Sequence, residues 1–175
     1  IYHQLIINRH VMTTLWLILG IILLASSLVF TVRPVIPATF AAYASLWLIK
    51  WSGAVPMPPA ILAFWGVATL LVLCIDFLLP RQVTASRAGL AYLGGGSLAG
   101  MLVGLIFSYP LMIAGAAVGA VLGAMAYSRT PGGKTIKFPS SRFIQYLCAK
   151  GLPIIVTICI IGVVMELFLM TGRAA

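Results

Sequence analysis

The chain has 175 residues, of which 62% are hydrophobic and only 7% are charged. One soluble core of this size could not cover so much apolar side chain, so the composition excludes a soluble globular protein. It predicts an all-α, polytopic bundle of membrane helices, with residues 1–175 forming a single integral membrane domain. Eleven Lys and Arg oppose two acids, which gives a formal charge of +9. Because the basic residues flank apolar segments, this charge predicts contact with anionic lipid headgroups and argues against nucleic acid.

Five apolar segments are long enough to cross a hydrocarbon core, which takes about 20 helical residues. These predicted spans are 11–32, 59–79, 90–108, 110–127 and 152–170. A sixth apolar segment, 38–49, is shorter and is predicted to be a re-entrant helix, with a sixth span as the alternative. Residues 1–10 are too polar to belong to a cleaved signal sequence, so the first span is predicted to be retained.

Lys and Arg are unevenly distributed between the two sides of these spans. Most of them fall in or beside the connections 80–88 and 128–151. Positive residues collect on the cytoplasmic side of a membrane, so both connections are predicted to be cytoplasmic. This assignment holds whether 38–49 re-enters or spans, whereas the side of the N-terminus depends on that choice.

Glycine recurs at four-residue spacing in two consecutive spans, within "YLGGGSLAGMLVGLIFSYPLMIAGAAVGAVLGAMAY" at 92–127. In lipid, small residues at this spacing allow two helix backbones to approach closely. Almost no loop separates the two spans, so 90–127 is predicted to be an antiparallel glycine-zipper hairpin. Its glycine stripes either pack on each other within one monomer or face a partner. The predicted helix-packing residues are Gly96, Gly100, Gly104, Gly115, Gly119 and Gly123.

Four short motifs carry a family resemblance: "RPVIP" at 33–37, "DFLLP" at 76–80, "SRAG" at 86–89 and "PLMIAG" at 110–115. In this order they resemble a family of small glycine-rich bacterial membrane proteins known as domain of unknown function four hundred and fifty-six. The chain departs from that pattern at Ala116 and Ala124, where such proteins often carry a proline and an acid. The resemblance implies a bacterial inner-membrane protein and brings no established chemistry with it.

The only acidic side chains are those of Asp76 and Glu166, and both lie inside apolar segments. An ionised acid at the bilayer centre is unfavourable by about 3 kcal/mol or more, so each is a candidate functional residue. Their predicted depths differ by roughly 15 Å, which is too far for a shared-proton pair. Asp76 is predicted to pair with Arg81 or Arg87 near the interface. Glu166 either reaches outward to the membrane surface or takes part in transport.

No other pattern predicts chemistry. The segment "PGGKT" at 131–135 lacks the first glycine and the preceding strand of a phosphate-binding loop and is interpreted as a turn. Neither the cysteine nor the histidine spacing indicates a disulfide or a metal site, and no residue set combines a nucleophile with a base. We therefore expect no catalytic residue, metal or cofactor. The residues predicted to contact lipid headgroups are Arg129, Lys134, Lys137 and Arg142.

Two functions follow from these features. The first is a non-enzymatic structural or accessory subunit that packs through its glycine-zipper helices, as a homo-oligomer or within a larger membrane complex. The alternative is a small-solute transporter or channel, which prolines beside the short segment 38–49 favour. A path for ions or sugars needs more polar surface than the predicted spans offer, so the first function is preferred.

Overall fold

The computed structural model describes residues 2–32, 37–78, 86–134, 136 and 138–174. Within these ranges all regular secondary structure is helical and no strand occurs, which confirms the predicted all-α class. The helices are α1 (Tyr2–Val32), α2 (Ala38–Ser52), α3 (Pro59–Leu78), α4 (Arg87–Phe107), α5 (Tyr109–Ser128), α6 (Ser141–Tyr146) and α7 (Leu152–Ala174). A 3₁₀ turn at Pro131–Gly133 follows α5, and a π-helical segment at Leu147–Gly151 joins α6 to α7.

Among the described residues, five stretches are long and apolar enough to cross a membrane, as predicted. They are Val11–Val29 within α1, the whole of α3, α4 and α5, and Ser141–Thr171 along α6 and α7. The chain is therefore a polytopic helix bundle. Helix α2 has only 15 residues, a length of about 22 Å, which is less than the thickness of a hydrocarbon core.

Helix α2 packs antiparallel along the second half of α1. Trp51 lies 6.0 Å from Trp16 between ring centroids, and a Cβ on Gly20 would lie 2.8 Å from Ile49 Cγ1. Helix α2 ends at Gly53, whose left-handed backbone (φ 66°) lets its N–H donate to the Lys50 carbonyl. Tryptophan rings therefore gather at the end of α2, as in the aromatic belt at a membrane surface.

Helix α3 returns along α2. A Cβ on Gly66 would lie 2.8 Å from the Tyr43 hydroxyl, so the two helices are in contact there. Tyr43 lies about as far from the end of α2 as Gly66 lies from the start of α3, and the short link between the helices allows only an antiparallel arrangement. Helices α1, α2 and α3 therefore alternate in direction.

Helix α7 is the central element of the bundle and touches every other long helix. Half of the most apolar stretch of the α6–α7 segment is buried, compared with 17% of the most apolar stretch of α1. Gly162 brings α7 onto α4 and α5, because a Cβ there would lie 2.6 Å from Met112 Sδ and 3.0 Å from Met101 Sδ. The α4–α5 pair is thus held against the core through α7.

The chain before α7 is more helical than the sequence indicates. The predicted connection 128–151 contains α6, which begins where the Phe143 N–H donates to Ser140 Oγ at 3.2 Å. The π-helical segment then carries the chain into α7. Pro153 has no N–H to donate to the preceding turn, and the wider π geometry accommodates the missing bond. The last span therefore continues back to Ser141 rather than beginning at 152.

Candidate functional site

The α4–α5 hairpin is the most regular feature of the molecule. Only Ser108 separates the two helices, and its extended backbone (φ −172°, ψ 162°) reverses the chain. Pro110 follows in the first turn of α5, where its missing N–H breaks no helical bond. The predicted helical hairpin is confirmed.

Backbone meets backbone along the whole hairpin. A Cβ built on any of six glycines would collide with a carbonyl oxygen of the opposite helix. Gly96 and Gly119 oppose each other in this way, as do Gly100 and Gly115. Gly104 opposes the Leu111 carbonyl, and Gly123 opposes the Tyr92 carbonyl. All six glycines therefore lie in the contact between α4 and α5.

This contact leaves no space between the helices for a third chain. At such short separation the Cα–H groups of one helix face the carbonyls of the other, which is the arrangement of weak Cα–H···O bonds. Gly94 and Gly95 differ from the six, because a Cβ on either would meet nothing within 4 Å. Close approach thus depends on the position of a glycine along the helix rather than on glycine content.

A polar network ties the two ends of the hairpin together where α4 begins and α5 ends. Ser86 caps α4, since its Oγ accepts the Gly89 N–H at 3.1 Å. The same hydroxyl bonds to the Tyr127 hydroxyl, which in turn donates to the Gly132 carbonyl at 3.1 Å. With Tyr127 donating to Gly132, Ser86 donates to Tyr127. The cap, the end of α5 and the following turn are thereby linked.

Tyr146 of α6 packs against this network, and we call the whole group the tyrosine cluster (Ser86, Gly89, Tyr127, Gly132 and Tyr146). The Tyr146 ring stacks on Tyr127 with centroids 6.2 Å apart. Its hydroxyl is buried and has no hydrogen-bond partner among the described residues. It sits against Gly89, where an added Cβ would collide with it. The glycine of "SRAG" therefore makes room for a tyrosine far along the chain.

A second polar group lies at the opposite end of the hairpin. Trp65 Nε1 donates to the Tyr109 hydroxyl at 3.0 Å, and Glu166 on α7 interacts electrostatically with Tyr109. Glu166 is half-buried. Glu166 thus lies in the part of the bundle that contains Tyr109.

Asp76 lies apart from this group. It is exposed near the end of α3, about 16 Å along that helix from Trp65. Arg81, one of its predicted partners, falls outside the described residues. The two acids of the chain thus occupy separate surroundings.

Three of the four predicted headgroup-binding residues lie at the same end of the hairpin as the tyrosine cluster. Arg129, Lys134 and Arg142 are exposed there, whereas Lys137 falls outside the described residues. Arg129 follows α5 directly and lines a surface cavity of about 240 Å³ with Met125, Ser128 and Phe138. These cations are free to approach a membrane surface.

Comparisons with protein-family models, with curated proteins and with solved structures found no match for this chain. Membership of the family that the quoted motifs resemble stays a prediction. Among those motifs, "SRAG" has a definite structural role, because Ser86 caps α4 and Gly89 accommodates Tyr146. Most of "RPVIP" and the end of "DFLLP" lie outside the described residues.

Proposed function

We propose that this protein is a non-enzymatic structural or accessory subunit of the bacterial inner membrane, acting in a homo-oligomer or a larger membrane complex. The observation that carries the proposal is the backbone contact between α4 and α5, which we interpret as a glycine zipper closed within one monomer. Two helices in such contact move as one body. The hairpin then presents a rigid surface to a neighbouring protein.

The surface concerned is the side of the hairpin that faces away from α7, which we call the outer face (Ala99, Val103, Val118 and Leu122). All four side chains are exposed. They occupy helical positions opposite the buried residues of both helices. Ala99 is small, so the outer face allows another helix to approach α4 closely.

Hydroxyl groups on the helices of the bundle support a structural role. Seven of them donate to a carbonyl three or four residues earlier in their own helix, and so present no free polar row to a solute. These residues are Ser26, Ser27, Ser45, Ser52, Ser128, Thr157 and Thr171. A path for ions or sugars would need such groups turned inward.

The charge distribution supports an orientation for this subunit. Arg87, Arg129, Lys134 and Arg142 are all exposed at the end that holds the tyrosine cluster. By the positive-inside rule we assign this end to the cytoplasm. The turn at Ser108 then lies toward the opposite side.

Photocrosslinking in native membranes tests the proposal. A benzophenone amino acid at Val118 places the probe on the outer face, and Val67 on α3, which is 66% exposed, provides a matched position elsewhere. We expect Val118 to give a discrete protein adduct, with the size of a second copy or of another subunit, and Val67 to give far less. Lipid adducts alone at both positions would overturn the proposal.

Transport is a second candidate, favoured by the half-buried position of Glu166 near Tyr109 and by the buried hydroxyls of Thr69 and Ser97, which have no hydrogen-bond partner among the described residues. A carboxylate inside a bundle commonly marks an ion or proton path. If the protein transports a cation, Glu166→Gln should abolish flux into proteoliposomes, and Asp76→Asn should preserve it. Equal flux in both variants and in empty liposomes would exclude this candidate.

A further inference from the structure

A narrow cleft of about 130 Å³ lies between α1, α4 and α7. It exists because α1 packs chiefly on α2 and only lightly on the other two helices. One end of the cleft is charged and the remainder is apolar. Its wall includes Arg87, Leu90, Gly94 and Leu98 of α4, Leu28 of α1 and Thr157 of α7.

The cleft follows the axis of α4 from its first turn into the apolar part of the bundle. From Arg87 to Leu98 it extends about 16 Å. Thr157 adds no free polar group, because its hydroxyl donates to the Pro153 carbonyl at 2.8 Å. Gly94 leaves the middle of the wall open, since a Cβ there would meet nothing within 4 Å. The space thus suits a slender apolar chain that carries a negative group at one end.

We propose that this cleft binds one acyl chain of an anionic phospholipid, with the lipid phosphate on Arg87. Charge complementarity selects this occupant, because Arg87 is exposed at the end of the cleft and a guanidinium binds phosphate through paired hydrogen bonds. A free phosphate would leave the apolar wall unused. A zwitterionic lipid would offset the charge of Arg87 less well. This site is separate from the outer face and does not depend on the proposed subunit role.

Two adjacent glycines provide a matched pair of variants. Gly94→Leu fills the cleft, whereas Gly95→Leu puts the same side chain on the exposed side of α4. Both positions have open space for a Cβ, so both variants should fold like the wild type. Arg87→Gln, a change at an exposed position, removes the charge and leaves the cleft open.

The test measures thermal unfolding of the full chain in mild detergent, with added phosphatidylglycerol or phosphatidylcholine bearing identical acyl chains. A ligand that binds only the folded state raises the melting temperature, and at a fixed ligand concentration the rise is larger for tighter binding. For the wild type and Gly95→Leu we expect phosphatidylglycerol to give the larger increase. Gly94→Leu should reduce the apparent lipid affinity at least tenfold, and Arg87→Gln should lower the effect of phosphatidylglycerol to that of phosphatidylcholine.

Three results would overturn the proposal. The first is an equal increase in Gly94→Leu and Gly95→Leu, which would place the lipid elsewhere. The second is an equal effect of the two lipids on the wild type. The third is that glycerol phosphate, which has the charge and no acyl chain, reproduces the effect of phosphatidylglycerol. Native mass spectrometry of the same samples should show one retained phosphatidylglycerol in the wild type and none in Gly94→Leu.

Discussion

Gly96 and Gly119 lie so close across the α4–α5 hairpin that a Cβ on either would collide with the carbonyl oxygen of the other. The contact is reciprocal, and it is repeated by Gly100 and Gly115 one turn away. Glycine disfavours a helix by about 1 kcal/mol relative to alanine in water. In this hairpin that disadvantage is offset by backbone contacts that no other residue permits.

Alanine at these positions should therefore destabilise the protein, although it is the better helix former. We expect Gly100→Ala and Gly119→Ala each to lower the free energy of unfolding by about 1–3 kcal/mol, because the added Cβ forces the backbones apart. Gly95→Ala is the control, since its Cβ meets open space. Melting temperatures in one detergent provide the comparison. Similar values for all three variants would contradict the close contact.

The two stacked tyrosines of the tyrosine cluster should respond in opposite ways to loss of the hydroxyl. Tyr127 bonds to Ser86 and Gly132, so Tyr127→Phe should lower the free energy of unfolding by about 1–3 kcal/mol. The Tyr146 hydroxyl is buried without a partner among the described residues, so Tyr146→Phe should raise that free energy by about 1 kcal/mol. Thermal unfolding measures both, and a loss of stability in Tyr146→Phe would indicate that its hydroxyl has a bonded water.

The bond between Trp65 and Tyr109 should be detectable as a coupling energy. Trp65→Phe and Tyr109→Phe each remove one end of the 3.0 Å hydrogen bond. A double-mutant cycle on thermal stability should give a coupling of about 1 kcal/mol. The cycle removes the separate effects of changed ring size. Additive effects would show that the bond contributes nothing to stability.

The helices and the hairpin can be predicted from the sequence because each depends on a pattern within one short segment. The spans follow from apolar runs, and the hairpin follows from glycine spacing together with the near absence of a loop between the predicted spans 90–108 and 110–127. The tyrosine cluster was not predicted, because Ser86 and Tyr127 are 41 residues apart and nothing periodic connects them. Only the cap-forming serine of "SRAG" could have indicated that the start of α4 is a structured site.

Helix α6 could not be predicted from the sequence for a different reason. Its polar residues and the preceding Pro139 are typical of a loop, yet Phe143 and Tyr146 bury their rings and hold the segment against the bundle. That stabilisation comes from tertiary packing, which overrides a weak local preference. The cleft beside Gly94 cannot be predicted from the sequence either. It arises where α1 packs only lightly on α4 and α7, and its existence depends on the positions of all three helices.

The orientation of the bundle can be tested with single cysteines at two exposed serines. Ser141 lies at the start of α6, near the tyrosine cluster, and Ser108 forms the turn at the other end of the hairpin. Because the positive-inside rule assigns the first end to the cytoplasm, a membrane-impermeant maleimide applied to intact cells should label Ser108→Cys and leave Ser141→Cys unlabelled. The native cysteines are first replaced by alanine, at Cys74, Cys148 and Cys159.

Inverted membrane vesicles supply the complementary measurement. There the same reagent should label Ser141→Cys and spare Ser108→Cys, since the cytoplasmic surface now faces outward. Detergent-solubilised protein is the control for reactivity, because both exposed thiols should react once the bilayer is removed. Labelling of Ser141→Cys in intact cells, with Ser108→Cys protected, would reverse the orientation and with it the assignment of Arg129, Lys134 and Arg142 to the cytoplasmic lipid surface.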